Sequence, residues 1–586
     1  MALDTARLGE AAVYAPLGAE GTLEWGWSSG ETYYLSWRNI NVSTRGKPAK
    51  QILHGLSGDC SPGTMKALMG ASGSGKTTLA TALLNVLSRR GSLAGLDVHG
   101  WVSQGCEKAA FVAQDFWCVA TDTPREAISF AAHLRGSGPN RVAQAEDLLR
   151  MLRLEKCADT YLGNDLLKGC SGGERRRTAV AIELVTDPTV IFLDEPTSGL
   201  DSYAAYVVIQ LLRDQIAKRG KTVLCTIHQP SSEVFGLFET VDFLRAGKLV
   251  YSGQLGSPLR ERFAACAFPL PPDTNPADHA LFVFQTCTDA EALVFQQHAT
   301  TVLEIPEENP VKSSKPQPSS LLLEVKLLAR REVFILLRDP KELYSRVMMT
   351  SILGVLVSLC FKNAGGRSNN DFANVQTHFG AVNQISIMGV MAISQPLILT
   401  FPAQRAVLLR EYAAHTYRII SYVASKLTIE LFLCMLQSTI IVTICYWIMD
   451  LQGSFIHLLL VIALMALSTS SSVVLLSAFA DKPEVAMQFA PLVVIPQMLF
   501  TGFFVRIDQI PTLLRWVQWV CALKYGINVI LAIEFKDCHT EACNELFSTN
   551  NIHREDWQLY ILALVAIFAC FRFGAILVLR HYALRS

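Results

Sequence analysis

The stretch GASGSGKT, residues 70–77, decides the fold of the first half of this chain. It fits the pattern G-x-x-x-x-G-K-[ST], in which a glycine loop joins a strand to a helix. An apolar run at residues 65–69 precedes it and helix-forming residues continue to 87, so the sequence predicts strand, loop and helix in that order. A chance glycine-rich turn is the alternative for the pattern alone. Its setting favours a phosphate-binding loop.

The residue types in this loop suit a nucleotide. Backbone N–H groups can surround phosphates only where side chains do not block the approach, and Gly70, Gly73 and Gly75 supply that clearance. Lys76 can place its ammonium against the β- and γ-phosphates, and the Thr77 hydroxyl can reach a magnesium ion. The sequence therefore predicts ATP and Mg²⁺ as cofactors. The predicted ATP-binding residues are Gly70, Ala71, Ser72, Gly73, Ser74, Gly75, Lys76, Thr77 and Thr78.

An apolar run that ends in two carboxylates follows at VIFLDEP, residues 190–196. Such a run is typical of a strand that is buried on both faces. We expect Asp194 to hold the magnesium ion, directly or through water, and Glu195 to polarise the water that attacks the γ-phosphate. An exposed acidic strand end is the alternative.

The segment CSGGERRR, residues 170–177, contains a second candidate anion site. Ser171, Gly172 and Gly173 precede a predicted helix that begins near Glu174, and the free N–H groups of a helix N-terminus bind anions. Because the chain already has its own phosphate loop, we expect this cradle to cover a nucleotide bound by another cassette. The segment thus predicts a dimer with shared sites.

Composition separates the chain into two unlike parts. At 586 residues it is too long for one hydrophobic core, and its mean hydropathy of +0.29 reflects an apolar excess after about residue 345. The 51 basic and 51 acidic residues cancel, which argues against electrostatic binding of nucleic acid. The amino terminus lacks the apolar core of a secretory signal, so we expect the first part to be cytosolic.

We expect an α/β ATPase domain at residues 1–304, a linker with an amphipathic connecting helix at 305–345, and an all-α membrane domain at 346–586. The linker IPEENPVKSSKPQPSS is rich in Pro and Ser. Six stretches are long and apolar enough to cross a bilayer of about 30 Å. They lie near residues 347–362, 380–402, 422–448, 456–480, 485–505 and 558–580.

Basic residues set the predicted orientation. Arg405, Arg410 and Arg418 lie between the second and third spans, which places that connection and both chain ends in the cytosol. The long connection at about 506–557 is apolar but interrupted by charge, so we expect a re-entrant or interfacial segment on the outside. A disulfide between Cys538 and Cys543 is plausible there, and free or intermolecular thiols are the alternative.

The order of these motifs resembles that of ABC transporters. Besides the segments above, it includes Gln114 in FVAQD, Asp201 in SGLDS and His228 in TIHQP. The resemblance implies that Gln114 senses the magnesium ion and contacts the membrane domain, and that His228 contacts the γ-phosphate. It also implies that Asp201 belongs to the dimer seam. Gln114, Glu195 and His228 are thus the predicted catalytic set, and Thr77, Gln114 and Asp194 the predicted magnesium set.

One cassette placed before one membrane domain resembles an ABC subfamily G half-transporter of the White type. The resemblance implies an ABC-2, or type V exporter-like, architecture and a coupling helix that contains Arg410 and Glu411. We expect that helix to dock near Gln114. The resemblance also implies a substrate cavity between two protomers. Packing between helices or contact with lipid is the alternative for its candidate lining residues. The candidate lining residues are Met388, Met391, Gln395, Met498 and Phe500.

We therefore expect a multi-pass protein of the plasma membrane or an organelle membrane that exports or flips a lipid, sterol or other amphipathic molecule. Its partner is a second half-transporter, identical or different. A soluble ABC ATPase is the first alternative, and the six predicted spans argue against it. An ATP-gated channel or a regulatory subunit without net pumping is the second. Glu430 lies inside a span, and we expect it to face a partner or water rather than lipid.

Overall fold

The structure is a computed structural model, and it describes residues 35–45, 48–87, 96–102, 109–115, 118–136, 140–164, 167–297, 319–366, 371–480, 482–505 and 509–583. The amino-terminal segment and the linker at 305–318 lie outside the described residues. The predictions of a leaderless amino terminus and a flexible linker fall on those segments.

Two β-sheets form the centre of the first domain. A three-stranded antiparallel sheet has the order β2-β1-β4, and a six-stranded sheet has the order β5-β6-β7-β3-β8-β9. The larger sheet is parallel except for its last pair. The strands are β1 (Leu35–Thr44), β2 (Gln51–Cys60), β3 (Met65–Gly70), β4 (Leu96–Val102), β5 (Ala109–Val112), β6 (Val190–Asp194), β7 (Thr222–Thr226), β8 (Thr240–Arg245) and β9 (Lys248–Gln254).

The strands β3, β6 and β7 are buried along their whole length, as expected for apolar runs covered on both faces. Helices cover the sheet, and the carboxyl ends of its parallel strands meet at one edge. The helices of this domain are α1 (Lys76–Leu87), α2 (Pro124–Arg135), α3 (Arg141–Met151), α4 (Gly172–Leu184), α5 (Ser202–Gln215), α6 (Ser232–Phe235), α7 (Ser257–Ala265), α8 (Pro276–Thr286) and α9 (Asp289–Gln297).

The second half is helical, so the predicted α/β domain followed by a helical membrane domain is confirmed. Its described helices are α10 (Leu321–Arg338), α11 (Pro340–Cys360), α12 (Phe372–Ala413), α13 (Ile419–Met449), α14 (Phe455–Phe479), α15 (Pro483–Leu499), α16 (Ala522–Glu534), α17 (Glu541–Thr549) and α18 (Trp557–Ala583). The connecting helix α10 ends at Arg338 rather than near residue 345. Asp339 precedes a proline and has φ −115° and ψ 73°, because proline disfavours helical geometry in the residue before it.

Five described helices are long and apolar enough to cross a membrane. They are Pro340–Cys360, Phe372–Ala413, Ile419–Met449, Phe455–Phe479 and Arg554–Ala583. The predicted span at 485–505 corresponds to α15, which has 17 residues and contains Pro491 and Pro496. Proline removes a helical hydrogen bond, and the helix ends at Leu499. Six spans therefore remain a prediction.

The connection at about 506–557 folds into short elements. A 3₁₀ turn occupies Arg515–Val520 and leaves Trp516 and Trp519 exposed. The helix α16 packs against α12, α14 and α18, and at 13 residues it spans about 20 Å, too short to cross a bilayer. A disulfide joins Cys538 to Cys543 with their Cα atoms 6.3 Å apart.

A buried ion pair lies between the membrane helices α13 and α18. Arg572 donates to the carboxylate of Glu430, which also accepts a hydrogen bond from the Ser470 hydroxyl. Both charged side chains are almost fully buried. A carboxylate in hydrocarbon needs such partners, so the partner of Glu430 within the chain is an arginine on the last span.

Candidate functional site

The phosphate loop lies between the end of β3 and the start of α1. Lys76 is the first residue of α1, and its ammonium donates to the Gly70 carbonyl at 2.8 Å and to the Ala71 carbonyl at 3.1 Å. Lys76 is therefore folded into the loop. Burial lowers the pKa of its ammonium, and the nearby carboxylates of Glu195 and Asp194, which raise that pKa, do not offset the effect of burial. The loop residues Ser72, Gly73 and Thr77 are exposed.

Two loop glycines are required by neighbouring strands as well as by a ligand. Gly70 has φ +150°, and a Cβ there would lie 2.3 Å from the backbone oxygen of Leu244. Gly75 has φ +102°, and a Cβ there would lie 2.5 Å from the Leu53 side chain. Larger residues would displace the loop, so these glycines fix its path close to the sheet edge.

The carboxylate that ends β6 contacts the phosphate loop. Asp194 accepts hydrogen bonds from the Thr77 hydroxyl at 3.0 Å and from the Thr226 hydroxyl at 2.5 Å. Asp194 and Thr226 face each other across the parallel pair β6–β7. Sequence reasoning missed Thr226, and the signal that could have found it is its position at the end of an apolar strand next to β6.

Glu195 and Gln114 form the next contact. The Gln114 amide donates to the Glu195 carboxylate at 2.8 Å. Glu195 has φ +45°, uncommon for a residue other than glycine, and its backbone N–H donates to the Thr226 hydroxyl at 2.9 Å. Arg176 donates to the backbone oxygens of Ala113 and Glu195, so it supports both segments. Sequence reasoning missed Arg176 although it lies in the CSGGERRR segment.

His228 lies two residues beyond β7 and is exposed. Its neighbour Gln229 has φ +46°. Hydrogen bonds thus join Thr77 to Asp194 and Gln114 to Glu195 at the carboxyl edge of the sheet, and Thr226 contacts both carboxylate residues. His228 follows the adjacent strand. The oxygen atoms of Thr77, Gln114 and Asp194 are of the hard type that Mg²⁺ prefers, so this set fits that ion.

The glycines of the second cradle begin α4, and Ser171 caps that helix. The Ser171 N–H donates to the Glu174 carboxylate at 2.8 Å, while the Glu174 N–H donates to the Ser171 hydroxyl at 3.4 Å. Partial burial raises the pKa of Glu174, but these hydrogen bonds outweigh it and the pKa lies below its usual value. Ser171 and Gly172 remain at least partly exposed, and Gly173 is buried.

Asp201 caps α5 beside this cradle. Its carboxylate accepts a hydrogen bond from the Ala204 N–H at 2.8 Å, and the side chain is exposed. A Cβ on Gly173 would lie 3.4 Å from the Ala204 Cβ, so α4 and α5 approach closely. Ser171 and Asp201 therefore begin two adjacent helices.

The connecting helix joins the α/β domain to the membrane helices through two arginines. Arg338 donates to both carboxylate oxygens of Glu126, at 2.5 and 2.6 Å, and to the Thr121 carbonyl. Arg331 lies over the Phe130 ring of α2 at 4.3 Å and donates to Glu411 at 2.6 and 2.9 Å.

Glu411 is therefore held by the connecting helix and by the Tyr417 hydroxyl at 2.5 Å. The same helix also approaches the Gln114 segment, because Arg410 interacts electrostatically with Cys118 and with Arg176, which donates to the Ala113 carbonyl, and docking near Gln114 stays a prediction. The preceding residue, Arg410, lies near Glu183 and Arg135 of the α/β domain. The Arg135 guanidinium also reaches the Ala414 carbonyl. Arg331 was missed as a functional candidate because its partner is eighty residues away in sequence.

A buried carboxyl lies beside this junction. Burial raises the pKa of Asp122 to about 7, although Arg331 and Arg338 act in the opposite direction. Glu126 and Glu411 raise it further. The junction therefore holds a carboxyl that is half protonated near neutral pH.

The five residues predicted to line a substrate cavity differ in their exposure. Gln395 is exposed, and Met391 and Met498 are partly buried. Met388 and Phe500 are buried within the protomer. Their burial disagrees with the prediction that they line a cavity between protomers, because such a lining is exposed in one protomer alone.

The phosphate loop, the acidic strand end and the capped second cradle, joined to apolar membrane helices, define an ATP-binding cassette coupled to a membrane domain. Residues 53–198 match the family "ABC transporter", and residues 323–535 match "ABC-2 type transporter". The protein is thus a multi-pass membrane ATPase that couples ATP hydrolysis to transport.

Three relatives identify the branch of the ABC transporters to which the chain belongs. The chain is 32% identical to ABC transporter ATP-binding protein/permease wht-1 of Caenorhabditis elegans, over 83% of this chain and 78% of the relative. It is 30% identical to ABC transporter G family member 12 of Dictyostelium discoideum, over 86% and 80%. It is 29% identical to the broad substrate specificity ATP-binding cassette transporter ABCG2 of Sus scrofa, over 83% and 80%. The chain belongs to the G family of ABC transporters.

Proposed function

We propose that this chain is one half of a dimeric transporter that uses ATP and Mg²⁺ to export or flip a lipid, sterol or other amphipathic molecule. The observation that carries the dimer is the exposure of Ser171 and Asp201 at the start of adjacent helices, in a chain with one phosphate loop. An exposed helix N-terminus can bind a phosphate of a nucleotide held by a second copy.

Each residue has a proposed task. Thr77, Asp194 and Gln114 hold Mg²⁺, which supplies charge neutralisation of the phosphates when bound. Glu195 orients the attacking water, and its hydrogen bond from Gln114 keeps the carboxylate at the sheet edge. His228 contacts the γ-phosphate. Ser171, Gly172 and Gly173 complete the partner's site, while Glu174 holds their geometry as the capping residue.

Mixed dimers test the shared site. Lys76→Met disables the phosphate loop of one chain, and Ser171→Arg blocks the cradle of the other. Neither variant should hydrolyse ATP alone, but a mixed dimer contains one site with an intact loop and an intact cradle. Recovery of ATP hydrolysis in purified mixed dimers with different tags is expected. Mixed dimers that form but do not hydrolyse ATP would contradict shared sites.

The membrane face of α12 and α15 supports an apolar or amphipathic substrate. Gln395 and Leu399 are exposed on α12, and Met498 is partly exposed on α15. Leu492 and Ile495 of α15 are exposed as well. A mixed apolar and amide surface of this kind suits a bulky molecule with a small polar group. The pig relative is named for broad substrate specificity, which agrees with such a surface.

A screen of lipids, sterols and drugs for stimulated ATP hydrolysis tests the substrate class. We expect amphipathic compounds to stimulate ATP hydrolysis by the wild type. No compound should stimulate the inactive control, Glu195→Gln. Gln395→Leu should alter the ranking of compounds without changing basal hydrolysis. Stimulation only by small hydrophilic solutes would contradict the proposed class.

The membrane is proposed to be the plasma membrane or an organelle membrane, with the cassette in the cytosol.

A further inference from the structure

Two buried thiols and a carboxylate meet immediately beside the Ser171 cradle. They are Cys157 on the 3₁₀ turn Glu155–Cys157, Cys170 before α4, and Glu174 in its first turn. One ligand atom from each residue lies within 4.8 Å of the others. Neither cysteine is in a disulfide, and both are less than a tenth exposed. None of the proposed steps of ATP hydrolysis uses the two thiols.

We propose that Cys157, Cys170 and Glu174 form a binding site for a thiophilic divalent metal ion such as Zn²⁺. Two thiolates and one carboxylate are a donor set that zinc accepts, with water in the fourth tetrahedral position. Zinc binds such ligands with metal–sulfur bonds of about 2.3 Å and metal–oxygen bonds of about 2.0 Å, so the three ligand atoms, which lie within 4.8 Å of one another, would move together on binding. Binding forms two metal–sulfur bonds and one metal–oxygen bond, and the two thiol protons pass to solvent.

The surrounding backbone holds the two thiols together without a metal. The Cys170 N–H donates to the Tyr161 carbonyl at 2.8 Å, and its thiol approaches the Thr160 carbonyl at 3.8 Å. The Cys157 thiol donates to the Leu154 carbonyl at 3.4 Å. The segment that carries Cys157 is therefore fixed against the residue that precedes Ser171, so little chain entropy is lost when a metal binds.

The carboxylate can join the metal and keep its capping contact. The Ser171 N–H and the Ser171 hydroxyl both donate to the same oxygen, Oε2 of Glu174, at 2.8 Å. Coordination through Oε1 therefore leaves the capping box in place. The metal would tie the turn at Cys157 to the first turn of α4 and restrict the movement of the Ser171 cradle. This inhibitory consequence rests on the proposed function, whereas metal binding itself does not.

Cadmium titration of the full-length dimer tests the site. Cadmium bound to thiolates has an ultraviolet charge-transfer absorption, so stoichiometry can be measured without ATP. We expect Cys157→Ser/Cys170→Ser to bind one Cd²⁺ fewer per protomer than the wild type. The matched control, Cys225→Ser/Cys287→Ser, removes two other buried thiols of the cassette and should retain that ion. Zn²⁺ should displace it in competition.

A second variant guards against misfolding. Glu174→Gln preserves the capping box, since glutamine serves at that position, but removes the charged ligand. It should keep the thiolate absorption and weaken cadmium affinity roughly tenfold or more. Equal stoichiometry and absorption in the wild type and in Cys157→Ser/Cys170→Ser would overturn the site.

Hydrolysis measurements separate the two claims. Cd²⁺ should inhibit ATP hydrolysis by the wild type and by the control variant, and should leave Cys157→Ser/Cys170→Ser uninhibited. If the ion binds at the site and hydrolysis continues unchanged, the metal site is supported, and the proposed participation of the adjacent cradle in the partner's ATP site is contradicted.

Discussion

The ion pair between Arg331 and Glu411 is expected to couple the cassette to the membrane domain. Arg331 contacts the Phe130 ring of the cassette helix α2 and, through two hydrogen bonds, the carboxylate at the end of α12. The Arg331 side chain is 8% exposed and that of Glu411 is 21% exposed. Removing one partner leaves the other charge buried, which costs about 3 kcal/mol.

Three variants measure this coupling. Glu411→Gln and Arg331→Met should each lower the midpoint of thermal unfolding and the amount of substrate transported per ATP hydrolysed. ATP binding at the phosphate loop should persist, because neither side chain contacts that loop. The double variant should lose less stability than the sum of the single losses, because no unpaired charge remains. Asp97→Asn provides the control, since its pair with Arg45 is half exposed and contributes about 1 kcal/mol or less.

Additive losses in the double variant would refute a direct interaction between the two charges. Normal transport per ATP by a well-folded Glu411→Gln protein would refute the coupling role, even if the stability measurements agreed. The two readouts therefore separate a stabilising pair from a pair that transmits movement.

Three further outcomes are expected. The pKa of Asp122 is about 7 in the folded cassette and about 3.8 in the unfolded chain, so the free energy of unfolding should fall by up to about 4 kcal/mol as pH rises between these values. The thermal unfolding midpoint of Asp122→Asn should therefore depend less on pH than that of the wild type. An unchanged pH profile would contradict this role of Asp122. The tryptic peptide 537–554 contains both Cys538 and Cys543, so reduction should add two hydrogens to its mass, and an unchanged mass would argue against the bridge. Gly70→Ala should abolish ATP binding to the folded protein, measured with a fluorescent nucleotide, because its methyl group would meet a backbone oxygen at 2.3 Å; normal binding would show that the loop can move.

Local patterns predicted the parts of the site that lie close together in sequence. The glycine spacing fixed the loop around Lys76, and the apolar run before Asp194 indicated a buried strand with an acidic end. Those features depend on backbone conformation and solvent exclusion, which a few adjacent residues determine. Thr226 was missed because its contact with Asp194 depends on the register between two strands that are far apart in the chain.

The membrane half was less predictable for physical reasons. Apolar content locates helices in lipid, but it does not decide whether a residue such as Met388 faces a neighbouring helix or a cavity. The partners of Glu430 and Glu411 are also long-range, at 142 and 80 residues. The break before Pro340 was accessible to sequence reasoning, since a residue before proline avoids helical geometry.

ATP-dependent flux into inside-out vesicles is the most direct test of ATP-driven transport by this protein. The probe is the compound that most stimulates ATP hydrolysis in the wild type, and the comparison is Glu195→Gln, which keeps an oxygen to accept the hydrogen bond from Gln114. We predict accumulation against a gradient in the wild type with ATP and Mg²⁺, and none in Glu195→Gln. Equal passive flux in both proteins, or flux that does not require hydrolysis, would contradict an ATP-driven transporter and indicate a channel.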